Sequence, residues 1–333
     1  MSAAANEQTK TSDLAIIGAG PSGLFAAYYA GFRGLSTIIV DSLEEKGGQV
    51  TAMYPEKEIL DVGGFPAVRG RELIDRLVAQ AEQFSPTYLL GHCAQEFTQS
   101  ADGVVITTDK GVRIEAGAVL VTAGIGRFSP RTTPEMDDWK GKGVRYFVSN
   151  PDELADHDVV IVGGGDSAFD WVLTLRPLAR SVSLVHRRPG FRAHEATVQE
   201  ILASQVKVYT PYAVSAIHGS DVLDEVELVH LEDKSTITIP AQTVVAALGF
   251  IADIGPLKSW GLQLEKRRIV VDSTMCTNLS RVFAAGDIIH YAGKVPLIAV
   301  GFGEAATAVN NLAPLLRTGQ KIFPGHSTGT SAA

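Results

Sequence analysis

Short apolar runs and amphipathic stretches alternate along the chain, which indicates alternating strands and helices. The run at residues 14–17 is rich in branched side chains and stops at a glycine, as buried parallel strands do. After it the pattern predicts, in order, a helix over 21–31, a strand over 36–40, an amphipathic helix over 71–84 and strands near 104–107 and 119–122. This alternation is typical of an α/β sheet.

The same pattern restarts near residue 158. The elements predicted from there are a strand over 158–162, a helix over 167–178, strands over 181–185 and 244–248, a buried strand that ends before Gly286, and a last helix near 305–316. No long linker or low-complexity segment separates the two copies. We interpret the restart as a duplicated nucleotide-binding unit, one copy inserted into the other through short connections. Residues 317–333 are polar and glycine-rich and are expected to form a tail or a lid.

Composition narrows the function classes. The chain has 333 residues, 45% of them apolar, and a formal net charge of -8, which argues against a nucleic-acid partner. Its two cysteines, Cys93 and Cys276, form no CxxC pair, so we expect neither a disulfide framework nor a metal site. No apolar run is long enough to span a membrane, and residues 1–12 lack the apolar core of a signal peptide. We therefore expect a cytoplasmic protein.

A first glycine motif follows the first strand and opens a helix. Its glycines are Gly18, Gly20 and Gly23, which allow a tight turn and let a pyrophosphate lie at the helix N-terminus. Asp41 comes 23 residues after Gly18, at the end of the second strand, where a carboxylate accepts hydrogen bonds from a ribose. The alternative is a glycine turn that only packs a helix against a strand.

A second motif, of the GxGxxA type, follows the strand at 158–162. Its candidate nucleotide contacts are Gly163, Gly165, Asp166 and Ser167. At the same spacing of 23 residues the chain now has His186 instead of an acid. Three arginines follow, namely Arg187, Arg188 and Arg192. Cations at this place favour a 2′-phosphate, which predicts NADP(H); the alternative is a solvated basic turn. FAD is then the expected free-ribose dinucleotide at the first site, because it can accept a hydride from NADPH.

Several motifs occur together in the order of a known family. They are the glycine motif at 18–23, Gly47-Gly48-Gln49, Thr122-Ala123-Gly124, the glycine motif at 163–168, His186-Arg187-Arg188 with Arg192, and Ala285-Gly286-Asp287. In this the chain resembles the low-molecular-weight thioredoxin reductases over nearly its whole length after residue 12. The resemblance implies two Rossmann-like three-layer α/β dinucleotide-binding domains, with an NADPH domain at 123–252 inserted into an FAD domain at 1–122 and 253–333. It also implies a homodimer.

The redox-active disulfide of those reductases is missing. Phe147 and Asn150 occupy the positions of its two cysteines, so dithiol exchange by that route is excluded. In this loss the chain resembles the thioredoxin-reductase-like ferredoxin–NADP⁺ reductases. It is similar to them also at Tyr54-Pro55-Glu56-Lys57, at Lys294-Val295-Pro296-Leu297, at 301–305 and in the extension at 323–328.

That resemblance implies roles for individual side chains around the flavin. Tyr54 would stack on one flavin face, His326 would cover the other, and Thr328 would lie near flavin N5. Further FAD contacts implied by the family are Ser22, Asp41, Gln49, Ala94, Phe128 and Asp287. From the residues alone, Asp287 could instead cap a helix, Gln49 could be a loop amide, Tyr54 an ordinary surface or core tyrosine, and His326 part of a solvated tail.

The resemblance implies electron transfer between NADPH and a ferredoxin through FAD. No general acid or base is required for a hydride step between stacked rings, so catalysis would be mainly positioning. An NADPH-dependent flavin reductase with another acceptor, such as a flavodoxin, a quinone or oxygen, is the alternative enzyme. A flavin-binding scaffold without turnover is the alternative from another class. Because ferredoxins are acidic, we expect a basic patch near the flavin that the sequence does not locate.

Overall fold

The computed structural model describes residues 9–100, 102–148 and 150–326. The chain divides into two compact units, one made of residues 1–127 and 252–333 and the other of residues 128–251. It passes between them in two short strands that pair with each other. These strands are β9 (Arg127–Pro130) and β18 (Phe250–Asp253), numbered with the elements given below.

The described residues of the first unit's first segment form eight strands and three helices. The strands are β1 (Thr9–Ile17), β2 (Thr37–Asp41), β3 (Glu58–Ile59), β4 (Val68–Arg69), β5 (Thr87–Leu90), β6 (Ala94–Gln99), β7 (Val104–Thr108) and β8 (Arg113–Val121). The helices are α1 (Pro21–Phe32), α2 (Gln49–Met53) and α3 (Gly70–Glu82). The main sheet has the order β5-β2-β1-β8-β7-β6, with β1 parallel to both β2 and β8.

The second unit is built around an all-parallel sheet. Its helices are α4 (Pro134–Asp137), a 3₁₀ turn at Pro151–Leu154, α5 (Asp166–Leu175) and α6 (Glu195–Leu202). Its strands are β10 (Val144–Arg145), β11 (Asp158–Val162), β12 (Ser181–Val185), β13 (Lys207–Tyr209), β14 (Tyr212–Gly219), β15 (Leu223–His230), β16 (Thr236–Pro240) and β17 (Thr243–Ala246). The parallel sheet has the order β10-β17-β11-β12-β13, and β14, β15 and β16 form a separate antiparallel sheet.

Side chains of the central strand β11 alternate between two cores, which makes the second unit three-layered. Val159 and Ile161 pack in the cluster that contains residues of α5 and α6. Val160 and Val162 pack in the cluster that contains residues of the antiparallel sheet. Because successive residues of a strand point to opposite faces, a strand covered on both sides is apolar throughout, as residues 159–162 are.

The chain returns to the first unit after β18. This segment contains a 3₁₀ turn at Gly255–Ser259, β19 (Leu264–Glu265), β20 (Arg268–Val270), β21 (Val282–Ala284), β22 (Ile289–His290) and α7 (Ile298–Leu316). Strand β21 adds to the main sheet by pairing in parallel with β8. Residues of α7 share one buried core with β1, β8 and β21, so the two segments of this unit form one folded body.

Two predicted helices differ from the structure in their ends. Helix α5 ends at Leu175 and not at 178, because Pro177 disfavours a helical conformation for the residue before it. Helix α7 begins at Ile298, seven residues before the predicted start. Glycines at 301 and 303 conceal this first part in the sequence, because glycine has low helix propensity. The antiparallel sheet of the second unit was not among the predicted elements.

Candidate functional site

The first glycine loop joins β1 to α1 and has no room for side chains at two positions. Gly18 has a φ of +114°, and a β-carbon there would lie 2.5 Å from the carbonyl oxygen of Thr122. A β-carbon at Gly23 would collide with the carbonyl oxygen of Gly18. At Gly20, the N-cap of α1, a β-carbon would meet no protein atom within 4 Å. The loop is thus close-packed except beside Gly20, where the N-terminus of α1 faces open space.

The carboxylate of Asp41 lies at this loop. Its Oδ2 accepts a hydrogen bond from the backbone N–H of Ala19 at 2.6 Å, and its Oδ1 accepts one from that of Leu43 at 2.8 Å. Burial, the largest effect, raises the pKa of Asp41, whereas the two backbone hydrogen bonds lower it. Asp41, the residue predicted to bind a ribose, therefore lies beside the glycine turn, at the carboxyl end of β2.

Ser22 and Gln49 occupy close-packed positions around the same loop. The hydroxyl of Ser22 lies where a β-carbon at Gly286 would come within 2.9 Å of it. The side-chain amide of Gln49 lies where a β-carbon at Gly124 would come within 2.6 Å of Nε2. The motifs at 18–23, 47–49, 122–124 and 285–287 are thus in mutual contact, although up to 268 residues separate them in the sequence.

Tyr54 lies close enough to Asp287 for the carboxylate charge to affect ionisation of the phenol. Burial, followed by the charges of Asp287 and Asp61, raises the pKa of Tyr54 to about 12. Burial is also the main cause that raises the pKa of Asp287, and the nearby cations Lys294 and Arg268 lower it in part. The phenol of Tyr54 is consequently neutral at physiological pH, as an aromatic stacking partner should be.

A buried ion pair supports the turn that carries Asp287. Glu304 accepts hydrogen bonds from the backbone N–H of Gly286 at 2.9 Å and from the Tyr291 hydroxyl at 2.7 Å. Lys294 Nζ lies 2.6 Å and 2.8 Å from the two oxygens of Glu304, and both side chains are at least 95% buried. Gly286 has a φ of +84°, so Glu304 holds a glycine-dependent turn in place. Lys294 and Glu304 lie in the motifs at 294–297 and 301–305, but the sequence alone predicted no role for either residue.

The second glycine loop repeats the first in detail. In the first unit Ile17 pairs with Val40, and the N–H of Gly18 donates to the Val40 carbonyl at 2.8 Å. In the second unit Val162 pairs with Val185, and the N–H of Gly163 donates to the Val185 carbonyl at 3.0 Å. Gly165, the N-cap of α5, again has open space where a β-carbon would be, as Gly20 has. The residues that follow Val40 and Val185 are Asp41 and His186, which are therefore structurally equivalent.

His186 is a buried ring rather than an exposed cation. Burial is the largest cause that lowers its pKa, and the charges of the three following arginines lower it further, whereas a backbone hydrogen bond with Gly190 raises it. Arg187, Arg188 and Arg192 are exposed. The N–H of Arg192 donates to the Gly164 carbonyl at 2.8 Å, which holds the arginine segment against the glycine loop.

Asp166 and Ser167 begin α5 and are both exposed. Asp166 Oδ1 accepts a hydrogen bond from the backbone N–H of His194 at 3.0 Å. Asp166 thus has a positioning contact of its own, which fixes the far end of the arginine segment beside the helix N-terminus.

Aromatic side chains cluster around Phe147, one of the two positions where the sequence lacks the cysteines of a redox disulfide. Phe147 stacks on Phe250 with ring centroids 5.3 Å apart, and Phe128 contacts both rings at 6.4 and 5.6 Å. Phe128, predicted as an FAD contact, belongs to the second unit. Asn150 caps the following 3₁₀ turn by accepting from the N–H of Asp152 at 3.2 Å.

The two cysteines are separate, partly buried thiols. Burial is the first cause that raises the pKa of each, and the neighbouring carboxylates of Asp109 and Asp272 add to it. Thiols with a raised pKa are poor nucleophiles at neutral pH, so neither cysteine is suited to dithiol exchange.

Three further residues were predicted to lie at the flavin, namely Ala94, His326 and Thr328. Ala94 is buried at the start of β6, where it pairs with Thr108. His326 is exposed, and in the described part of the chain its ring contact is with Phe323, at 5.2 Å, and not with Tyr54. Thr328 lies outside the described residues.

The start of the C-terminal extension is fixed by Arg33, which sequence analysis missed. This arginine is 5% exposed at the end of α1. Its guanidinium donates to the carbonyl oxygens of Lys321 and Ile322, each at 2.7 Å, and to Gln320 Oε1 at 2.9 Å. Burial lowers the pKa of Arg33. No local sequence signal marks it, because its partners on the extension lie 287 to 289 residues away.

Two other kinds of site are absent from the described ranges. Across residues 9–100, 102–148 and 150–326, no group of three or more His, Cys, Asp or Glu side chains is placed to hold a metal ion. The same ranges contain no helix with the length and apolar character needed to cross a membrane.

Two units with equivalent glycine loops define an oxidoreductase that binds two dinucleotides. Comparison of the chain with known proteins supports this class. The chain matches the family model described as pyridine nucleotide-disulphide oxidoreductase over residues 12–311, and it belongs to this family. It is 58% identical to a ferredoxin–NADP reductase of Frankia alni, over 96% of this chain and 99% of that protein. It is 44% identical to a ferredoxin–NADP reductase of Thermus thermophilus, over 96% and 98% of the two chains.

Solved structures show the same fold. The crystal structure of T. acidophilum thioredoxin reductase superimposes with a TM-score of 0.71 at 26% identity, covering 91% of this chain and 98% of that one. The thioredoxin reductase of Lactococcus lactis gives a TM-score of 0.71 at 22% identity, over 92% and 99%. The predicted α/β fold with two Rossmann-like domains, one inserted in the other, is confirmed.

Proposed function

We propose that this chain is a ferredoxin–NADP⁺ reductase that binds FAD in the first unit and NADP(H) in the second. The observation that carries the proposal is the equivalence of Asp41 and His186, which gives two otherwise similar loops opposite charge preferences. The relatives named ferredoxin–NADP reductase support it, as does the phenylalanine at one of the disulfide positions.

The first loop fits the pyrophosphate and ribose of FAD. The open space beside Gly20 at the N-terminus of α1 accommodates a diphosphate, and helix N-terminal N–H groups bind anions. Asp41 would bind the adenosine ribose, and Asp287 the ribityl or pyrophosphate region. Gln49, Ser22, Gly18 and Gly23 would shape the same site. The backbone of Ala94 and the ring of Phe128 would add contacts, as the family resemblance implies.

The second loop fits NADP(H). The open side of Gly165 accommodates the pyrophosphate beside Asp166 and Ser167 at the N-terminus of α5, with Gly163 packed behind it. The neutral ring of His186 leaves the charge at this edge to Arg187, Arg188 and Arg192. A guanidinium group can donate two parallel hydrogen bonds to a phosphate, so these arginines would recognise the 2′-phosphate.

Catalysis would rest on positioning. When bound, FAD would supply the chemistry that links hydride transfer from NADPH to single-electron transfer to ferredoxin. Tyr54 would hold the flavin ring by stacking, and its neutral phenol adds no charge there. His326 would shield the opposite face and Thr328 would lie near N5. No side chain is required to move a proton in the hydride step.

Assembly and location are part of this proposal. We place the protein in the cytoplasm, where a reducing environment suits two unpaired cysteines. We also propose a homodimer, which the resemblance to thioredoxin reductases implies.

The decisive experiment supplies purified holoprotein with NADPH, a ferredoxin and cytochrome c. Cytochrome c reduction that depends on added ferredoxin supports the proposal. Reduction that is indifferent to ferredoxin, together with efficient turnover of flavodoxin, menadione or oxygen, would instead make the chain a flavin reductase with another acceptor. If NADPH fails to bleach the flavin absorbance without oxygen, the chain is a binding scaffold.

A further inference from the structure

A tight turn between β19 and β20 presents two adjacent cations to solvent. Lys266 and Arg267 both have positive φ angles, +48° and +66°, and connect the antiparallel pair Glu265 and Arg268. The Lys266 side chain is 83% exposed. Two long cationic residues in a conformation that favours Gly or Asn are costly to local folding, which points to a use for their charge. We call residues 266–268 the basic turn.

The basic turn is held next to Asp287. Strand β20 pairs in parallel with β22, and the N–H of Ile269 donates to the carbonyl of Ile288 at 2.8 Å. Arg268 therefore lies one residue from a backbone contact with the neighbour of Asp287. Its charge is among those that lower the pKa of Asp287 against the larger effect of burial. The turn thus borders the carboxylate that the proposed function assigns to FAD.

The surroundings of the basic turn carry a local excess of positive charge. Residues 252–268 contain four cations and two carboxylates, whereas the whole chain has a net charge of -8. The carboxylates have partners of their own: Asp253 lies 2.5 Å from Lys258 Nζ, and Glu265 lies 3.3 Å from His290 Nε2.

Lys266 and Arg267, the two exposed cations of the basic turn, make only weak contacts within the protein. Lys266 Nζ lies 3.9 Å from Glu265, a distance at which an exposed pair contributes little. Arg267 Nη1 donates to the Ala252 carbonyl at 3.3 Å, which orients the side chain without neutralising it. Both charges therefore remain available to an approaching partner.

We propose that the basic turn at residues 266–268 is the docking surface for the acidic iron–sulfur partner. The proposal rests on the proposed function and adds the place where the partner binds. An excess of positive charge at the turn attracts an acidic partner to this region of a protein that is negative overall. Docking there brings the partner to the side of the FAD site marked by Asp287, whose charge also acts on Tyr54, the proposed flavin-stacking residue.

Charge reversal with a matched control tests this assignment. Lys266→Glu is compared with Lys234→Glu, an exposed lysine with a φ of +65° in the turn between β15 and β16 of the other unit. Both variants change the net charge equally at turns of similar conformation. At about 10 mM salt, where the Debye length is about 30 Å, we expect Lys266→Glu to raise the KM for ferredoxin about tenfold and Lys234→Glu less than about twofold.

Three further measurements distinguish a loss of ferredoxin docking from general damage to the protein. NADPH-dependent reduction of menadione, an uncharged acceptor, should be unchanged in both variants, and Lys266→Arg should retain the normal KM for ferredoxin. The tenfold difference should fall to less than about twofold near 1 M salt, where the Debye length is about 3 Å. Equal KM values for the two glutamate variants would overturn the docking site alone. A wild-type protein that reduces menadione but not ferredoxin would overturn the proposed function, and the docking site with it.

Discussion

The imidazole of His186 covers the Cα of Gly164, so that a β-carbon there would lie 2.5 Å from Nε2 and collide with the rest of the ring. The ring belongs to the residue equivalent to Asp41. We predict that Gly164→Ala lowers the free energy of unfolding of the second unit by about 1–3 kcal/mol, the usual cost of overpacking. Chemical denaturation followed by circular dichroism measures it.

Gly165→Ala is the matched control for that variant. A β-carbon at Gly165 meets no protein atom within 4 Å, so stability should change by less than about 1 kcal/mol. The same methyl group would occupy the space we assign to the NADP(H) pyrophosphate, and NADPH affinity should fall. Unchanged affinity would show that the nucleotide does not use this side of the loop.

Replacing the exposed arginines tests how the second unit distinguishes its nucleotide. We predict that Arg187→Ala/Arg188→Ala raises the KM for NADPH about 10- to 100-fold, since a charge-assisted hydrogen bond contributes about 1.5–3 kcal/mol. The KM for NADH should change far less, because NADH has no 2′-phosphate. Arg176→Ala, at the opposite end of α5 and paired with Glu200, should alter neither value. A parallel rise for both nucleotides would exclude recognition of the 2′-phosphate.

Removal of residues 324–333 tests the extension. In the described part of this segment Arg33 contacts Gln320, Lys321 and Ile322, which the deletion retains, so the first unit should remain folded. We predict increased flavin fluorescence and an altered rate of flavin reduction in stopped-flow measurements with NADPH. His326→Ala should reproduce part of both effects. If fluorescence and rate match those of the full chain, the extension does not shield the flavin.

The buried pair Lys294 and Glu304 should be sensitive to the loss of one partner. Glu304→Gln leaves the ammonium of Lys294 buried without its counter-charge, which costs about 3–5 kcal/mol of unfolding free energy. The double variant Lys294→Met/Glu304→Gln removes both charges and should recover most of that loss. Urea unfolding of the three proteins compares them. A double variant as unstable as the single one would mean that the Gly286 turn, not the unpaired charge, sets the cost.

Tyr54 should make stability depend on pH in the alkaline range. Its folded-state pKa is raised to about 12 from an ordinary value of 10, so the folded protein retains a proton that the unfolded chain loses. The stabilisation is complete below pH 10 and is lost as the pH rises towards 12. Urea midpoints should therefore fall less steeply over this window in Tyr54→Phe than in the wild type. Identical slopes would show that Tyr54 ionises normally in the folded state.

The two loops could be predicted because their signals are local and repeated. Strand, glycine turn, helix and the residue 23 positions after the first glycine all lie within one βαβ unit, so Asp41 and His186 were found by counting. Arg33 and Glu304 were not found, because each acts through partners that only the folded chain brings near it. Whether Phe128 and His326 contact the flavin remains a prediction, since one lies among the aromatic rings of the second unit and the other is exposed.

A basic patch near the flavin was predicted, but the sequence did not show where it lies. Four cations within residues 258–268 are visible in the sequence, yet their proximity to Asp287 depends on the pairing of β20 with β22. Strand pairing between segments about 20 residues apart, both of two or three residues, carries too weak a pattern to be recognised.

The raised pKa values of Cys93 and Cys276 have a consequence for the chemical robustness of the protein. Enzymes that pass electrons through a reactive dithiol are inactivated by electrophiles and peroxides that attack thiolates. In the proposed function no thiol takes part in turnover, and the raised pKa of both cysteines disfavours the reactive thiolate. Electron supply through this protein should continue under oxidative stress that would disable a dithiol reductase of the same fold.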